Sequence, residues 1–237
     1  MRLIEPFGAG GGPDVVARAI ARPFSARLGR RVDVINHPGG GSTEAPAFVL
    51  NAPADGDTLL INTSAHAYSA VAVRDLPYDP LKDFVVVAPL TTQAYVVVAG
   101  PRAGVCSLEE LIRSANARRG RLRFGSTGVG TGTHIGTELL NRAIGINATH
   151  VPADSRDAIS DVVAKVINGT TDYAMLPISA AAEPLAAGDL VALGVTTAQR
   201  SPALPEALTL AEAGASGYDF PIWYGAWARA DTPTRDR

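Results

Sequence analysis

The sequence predicts an α/β fold of two similar lobes with a cleft between them, and three observations carry that prediction. Short apolar runs bounded by turn residues alternate with longer stretches of helical periodicity, the rhythm of mostly parallel strands joined by crossover helices. A strand, a glycine-rich loop and a helix follow one another at residues 3–28, and the same trio returns at 122–145. A chain of 237 residues with 46% hydrophobic content can also bury one large core or two smaller ones.

In the first half, residues 3–7 read as a strand and 8–12 as a glycine loop. The loop leads to Asp14, whose carboxylate is expected to accept backbone N–H bonds as an N-cap. The helix that follows carries Val16, Ile20, Phe24 and Leu28 on one face and closes at Gly29, a C′ glycine. Pro23 inside it is expected to kink or weaken it. Residues 32–35 and 58–62 read as strands, with a helix at 44–51 between them.

After the apolar run 85–99, Ser107 and Glu110 have capping-box spacing and open a helix to about Arg118. Residues 122–125 then read as a strand. A loop rich in glycine and threonine, 126–133, opens a helix ending at Gly145. A strand at 148–151 precedes an amphipathic helix with Ile159, Val162, Val163, Val166 and Ile167 on its apolar face, closed by Gly169. Residues 172–176 and 190–196 read as strands flanking another helix, and the aromatic tail 218–227 as a strand returning to the first lobe.

Composition excludes several function classes. A formal net charge of −2, with 19% charged residues, offers no basic field for nucleic acid. No apolar run reaches the length that spans a bilayer. The single cysteine, Cys106, excludes an internal disulfide and a thiolate zinc site, and reads as an inert buried or loop thiol. His37, His66, His134 and His150 are scattered without metal-ligand spacing, so no metal and no cofactor are expected.

The loop Gly8-Ala9-Gly10-Gly11-Gly12-Pro13-Asp14 invites comparison with nucleotide sites, since glycine loops at helix N-termini cradle phosphate. It lacks the Gly-Lys-Ser/Thr of a P-loop, Pro13 replaces the third Rossmann glycine, and Asn36 stands near where a ribose-binding acid belongs. What remains is either a tight turn or a site where unpaired N–H groups and the positive helix end favour another anion, such as a carboxylate. Ser126 to His134 form a second such loop, with hydroxyl donors beside the backbone; the alternative is a helix cap with excess threonine. If both loops face the cleft, a dicarboxylate is held at each end by opposite lobes, which couples binding to closure. A catalytic alternative places Ser126, His134 and Asp172 in a small serine hydrolase, although no Gly-x-Ser-x-Gly elbow occurs. Trp223 and Trp227 read as packing in preference to an aromatic pocket.

The motifs in their order resemble the tripartite tricarboxylate transporter (Bug) family of solute-binding proteins over nearly the whole chain. Pro6-Phe7-Gly8-Ala9-Gly10-Gly11-Gly12-Pro13-Asp14 is similar to the family's opening loop. Asn36-His37-Pro38-Gly39-Gly40-Gly41 is similar to its Asn-x-Pro-Gly-x-Gly turn, and Asp55-Gly56-Asp57-Thr58-Leu59-Leu60 to Asp-Gly-x-Thr-Leu-Leu. Leu76-Pro77-Tyr78-Asp79-Pro80-Leu81-Lys82-Asp83-Phe84 is a specific match. Residues 125–134, His150-Val151-Pro152 and Arg200-Ser201-Pro202-Ala203-Leu204-Pro205 follow in register.

The resemblance implies a type II periplasmic-binding-protein fold, with residues 1–98 plus 218–237 as one lobe and 99–217 as the other. It implies a periplasmic, non-catalytic monomer that captures a small carboxylate for the membrane subunits of a tripartite tricarboxylate-type transporter, and binds no nucleic acid. Carried over by position, the ligand residues are Phe7, Ala9, Gly10, Gly11, Gly12 and Asp14, then Thr63, Ser64, Ala65 and His66. Ser126, Thr127, Thr131 and His134 follow, with Ala153 after the 148–151 strand and Asp172 completing the pocket. The chain departs from the family where Pro152-Ala153-Asp154-Ser155 stands in place of Pro-Tyr-Lys-Gly: a tyrosine and a basic residue are lost and an acid is gained. It also shows no signal peptide and none of the C-terminal helices that complete the first lobe. The expectation is a chain truncated at both ends, with a receptor remnant that binds nothing as a further alternative.

Overall fold

A computed structural model describes residues 1–40, 42–118, 121–155 and 157–234 of the chain. Gly41, which ends the Asn36 turn motif, and the last residues of the tail to Arg237 lie outside the described residues. In chain order the first elements are β1 (Arg2–Glu5), α1 (Gly12–Leu28), β2 (Asp33–Asn36), α2 (Glu44–Leu50), β3 (Thr58–Thr63), α3 (Ala65–Ala72) and β4 (Phe84–Gln93). There follow β5 (Tyr95–Ala99), α4 (Leu108–Arg118), β6 (Leu122–Ser126), α5 (Gly132–Ala143), β7 (Ala148–Pro152) and α6 (Ala158–Ile167). The series ends with β8 (Tyr173–Pro177), α7 (Ile178–Ala187), β9 (Val191–Val195) and β10 (Ile222–Arg229).

Two compact units result. The first comprises Met1–Thr92, Gly130–Gly132 and the chain from Trp223 on, and the second comprises Gln93–Val129 and Thr133–Ile222.

The first unit holds a five-stranded sheet in the order β2-β1-β3-β10-β4. Strand side chains alternate between faces, and here the alternation divides two cores. Leu3, Leu59 and Ile61 pack with Ala17 and Ala21 of α1, while Ile4 and Leu60 pack with Ala45 and Val49 of α2, Tyr78, Phe84 and Trp227. Complete burial of a Leu or Ile such as Leu60 or Ile61 stabilises by about 1.5–3 kcal/mol each. Trp223 packs partly buried on the same cluster, 5.7 Å from Trp227 between ring centroids, so both tryptophans serve the core.

The second sheet runs β7-β6-β8-β5-β9. β6 is parallel to β7 and β8, whereas β5 is antiparallel to β8 and β9. In the first sheet β1 is parallel to β2 and β3, and β10 is antiparallel to β3. The strands are mostly parallel, as expected, but each sheet is mixed: β5 opposes the other four strands of its sheet, and β10 opposes β1, β2 and β3. A strand delivered by a crossover helix runs parallel to its predecessor, but β5 and β10 reach their sheets without one.

Two local expectations are corrected. The helix α1 begins at Gly12, with Gly11 as N-cap and no side-chain cap, so Asp14 stands in its first turn. It reaches back to accept the Gly10 N–H at 2.9 Å. The buried face of α1 is Pro13, Asp14, Ala17 and Ala21, small residues that let it approach the sheet, while Val16, Ile20 and Phe24 lie at the margin and Leu28 is 40% exposed. The helix continues through Pro23 to Leu28 and ends at Gly29 with φ 65°. At α4, Ser107 Oγ accepts the Glu110 N–H at 3.1 Å, and the Glu110 carboxylate accepts the N–H of Cys106, an exposed loop residue.

Candidate functional site

β1 and β3 are parallel neighbours, so their carboxyl ends open on the same edge of the first sheet. Phe7 and the loop to Asp14 follow β1, and Thr63, Ser64 and Ala65 follow on β3. Loops at the carboxyl ends of parallel strands are where α/β proteins place ligand sites. The first loop turns through Gly10 at φ 84°, with Gly11 N–H donating to Gly8 O at 3.1 Å. At Gly12 the loop passes against the ring of Tyr224 on β10: a Cβ there would overlap the tyrosine hydroxyl and lie 3.1 Å from Cε1 and Cζ. Only glycine permits that approach.

Asp14 and Asn36 fix the loop from below. Besides Gly10 N–H, the Asp14 carboxylate takes Arg18 Nε at 2.9 Å and Asn36 Nδ2 at 2.8 Å. Burial pushes the Asp14 carboxyl up, and these donors outweigh it and hold it below the usual range. The position near which a ribose-binding acid belongs is thus occupied by an amide committed to protein acceptors.

Thr63, Ser64 and Ala65 are all buried, and Ser64 N–H donates to Trp223 O at 2.8 Å. His66 is 2% exposed, and its ring packs 4.7 Å from Phe84, 5.1 Å from Trp227 and 6.4 Å from Tyr78 between centroids. Its imidazole therefore belongs to the aromatic core and is not brought together with the glycine loop. Burial pushes its pKa down to about 4.

In the second unit, β6 and β7 pair Phe124 with His150 and Ser126 with Pro152. Phe124, Ser126 and His150 consequently share one face. Ser126 Oγ lies 2.6 Å from His150 Nε2 and accepts Gly128 N–H at 3.1 Å. His150 stacks on Phe124 at 4.9 Å and lies 4.2 Å from the His134 ring. Burial, then the neighbouring His134, pushes His150 down to about 4, so the ring is neutral near pH 7. Burial likewise lowers His134, opposed by Glu138. Thr133 Oγ1 accepts the Thr127 N–H at 3.0 Å and closes the loop. Thr131 is 2% exposed and is counted with the first unit. Ala153 N–H donates to Ser126 O at 2.8 Å, which sets Ala153 beside this loop.

Asp172 is placed elsewhere. It precedes β8, whose Tyr173 pairs with Phe124, so it sits at the amino ends of the strands while Ser126 sits at a carboxyl end. There it accepts Arg118 Nη1 at 2.9 Å and Arg123 N–H at 2.7 Å. Ser126, His134 and Asp172 therefore do not assemble a hydrolase triad: the serine is fully buried and bonds His150.

Sequence reasoning passed over His150 as a partner of Ser126, Tyr224, Glu5 and Lys165. Lys165 interrupts the apolar face of α6, and it is 8% exposed. Its Nζ bonds Pro152 O at 2.9 Å, Asp154 Oδ2 at 2.6 Å and Asp161 Oδ2 at 3.0 Å. The acid that distinguishes this chain at 154 is thus neutralised from behind. A lone lysine within an apolar helix face was the available signal.

Residues 16–235 match the family model of the tripartite tricarboxylate transporter family receptor. The chain belongs to that receptor family. The receptor is 34% identical over 232 residues to a UPF0065 protein of Pseudomonas sp. strain P51, covering 97% of this chain and 68% of the relative. An R. palustris protein solved with adipate superposes with a TM-score of 0.89 at 32% identity, covering all of this chain and 78% of that one. MatC from Rhodopseudomonas palustris with bound malate gives 0.89 at 28% identity, covering all of this chain and 80% of MatC. The receptor has the two-lobed fold of periplasmic binding proteins, as the sequence motifs implied, and is a solute-binding protein.

Proposed function

We propose that this receptor captures a small carboxylate in the periplasm, releases it unchanged to the membrane subunits of a tripartite tricarboxylate-type transporter, and acts as a monomer. The observation that carries this reading is that two neighbours of the same fold, 32% and 28% identical, hold adipate and malate. The loops offer matching chemistry. In the first, the N–H groups of Ala9 and Gly12 have no acceptor among the described residues and stand at the positive end of α1. In the second, Thr127 Oγ1 and Thr133 Oγ1 lie 2.9 Å apart, and with Thr133 as the donor of that bond the Thr127 O–H serves an anion without arginine. The ligand contacts we assign are residues 7 and 9–12, residues 63–65, residues 126, 127, 131 and 134, and Ala153. Asp14 acts by holding the first loop. A micromolar Kd corresponds to about −8 kcal/mol, within reach of a few charge-assisted hydrogen bonds.

The test is a thermal-shift scan against mono-, di- and tricarboxylates including malate and adipate. Ligand at 100 times its Kd stabilises by about 2.7 kcal/mol and raises the midpoint by several degrees. A cooperative melt that no acid in the panel shifts would overturn the carboxylate reading.

A further inference from the structure

Glu5 ends β1 with its side chain fully buried. Strand alternation turns it to the same face as Leu3, the face covered by α1, so it lies beneath the first glycine loop. Its Oε2 accepts the Phe7 N–H at 2.9 Å. The amide of Asn36 on β2 meets three acceptors: Glu5 Oε1, Asp14 Oδ1 at 2.8 Å and Phe7 O at 3.4 Å. Two amide hydrogens cannot serve three acceptors fully. Arg18 resolves the competition for Asp14 only, with Nε and Nη2 each 2.9 Å from its carboxylate. Of the two carboxyls that share Asn36, Asp14 has the contacting cation and Glu5 does not.

Among the described residues the surroundings supply no other counter-charge. The helix α1 presents Asp14 and Arg18. β2 presents Asn36, with His37 beyond it donating only its backbone N–H to Glu5 O. β3 carries no ionisable residue, and the one on α2, Glu44, is exposed at its first turn. An anion arriving at the loop adds a negative charge to a cluster that already holds two carboxyls against one guanidinium.

We propose that Glu5 couples ligand capture to proton uptake: the receptor with Glu5 protonated is the form that takes a carboxylate at the loop of residues 7–14. The proton comes from solvent and leaves again when the ligand is released. The inference rests on the carboxylate-binding function proposed above. Burial, then the proximity of Asp14, pushes the Glu5 carboxyl up to about 7 against the hydrogen bonds from Phe7 and Asn36 and the nearby Arg18 charge, so the titration falls in the neutral range. Glu5 is thereby a positioning and affinity-setting residue that does not touch the ligand.

The experiment is calorimetric titration of malate and adipate, both ionised between about pH 6.5 and 8.5, into the wild type and Glu5→Gln. Buffers of different ionisation heat count the protons directly. The wild type is expected to bind about 10-fold more tightly at the lower pH, the effect of a one-unit pKa change on binding, and to take up a fraction of a proton near pH 7.5. Glu5→Gln is expected to bind at all pH values as the wild type does at the lowest, without proton uptake. Wild-type binding that neither varies with pH nor takes up a proton overturns the coupling while leaving carboxylate capture intact. The same follows if Glu5→Gln keeps the wild-type pH dependence. The wild-type proton count decides the matter even if the variant does not fold. Absence of binding at every pH removes the carboxylate function and the coupling with it.

Discussion

Ser126 Oγ and His150 Nε2 are 2.6 Å apart across the neighbouring carboxyl ends of β6 and β7. The hydroxyl also takes the Gly128 N–H, so one fully buried oxygen joins a strand, its neighbour and the turn that opens the second loop. Ser126→Ala should cost about 1–3 kcal/mol, because His150 Nε2 and the Gly128 N–H both lose their bond to the buried hydroxyl. Carboxylate affinity should fall about 10-fold or more. Titration and thermal melts of the variant measure both, and an assay with a p-nitrophenyl ester checks that neither protein hydrolyses it.

His66 makes stability sensitive to acid. Its folded pKa of about 4 lies below the ordinary 6.5, so the folded state resists a proton that the unfolded chain accepts. The contribution is fully present above about 6.5 and is lost as pH falls through about 4, a span worth ~3 kcal/mol. His66→Phe keeps an aromatic ring in the cluster and should flatten the profile in this window by about that amount. Denaturant unfolding of both proteins between pH 7 and 4 measures the difference.

Gly12→Ala should destabilise by about 1–3 kcal/mol through overpacking, since the new methyl overlaps the Tyr224 hydroxyl. Adding Tyr224→Phe removes the overlapped atom and should recover part of the loss. A double-mutant cycle on melting free energies reads the coupling, and additive effects would sink this explanation.

Lys165→Met retains the stem and removes the ammonium that ties Pro152 O, Asp154 and Asp161 together. Burial pushes that ammonium down, but the two carboxylates outweigh it and hold it above its usual value. Asp154 is largely exposed, so the loss should be about 1–2 kcal/mol. Freeing residues 152–154 should also weaken ligand affinity if Ala153 contacts the ligand. Ligand titration of the variant against Asp154→Asn separates the charge from the tether.

Much of the fold was legible along the chain because the signals are local. Alternation in Leu3-Ile4 and Leu59-Leu60-Ile61, the closing glycines at 29 and 169, and the Ser107–Glu110 spacing are fixed by neighbours a few residues away. The start of α1 was less legible: Asp14 has the chemistry of an N-cap, yet Pro13 suits the first helical turn and the cap stands three residues earlier, at Gly11. The mixed direction of the sheets was not legible, since nothing near β5 or β10 states which strands they join.

By itself, the sequence determined the α/β rhythm, the two glycine loops, and membership of a receptor family through the order of its motifs. Only the tertiary structure decided that Ser126 meets His150, that Asp172 stands at the opposite strand ends, that His66 turns into an aromatic core, and that Glu5 and Asp14 share one amide. Strand alternation tells which face a side chain takes. Which strand lies alongside, and in what register, is set by the packing of segments far apart in the chain, and that packing creates the partners of buried polar groups.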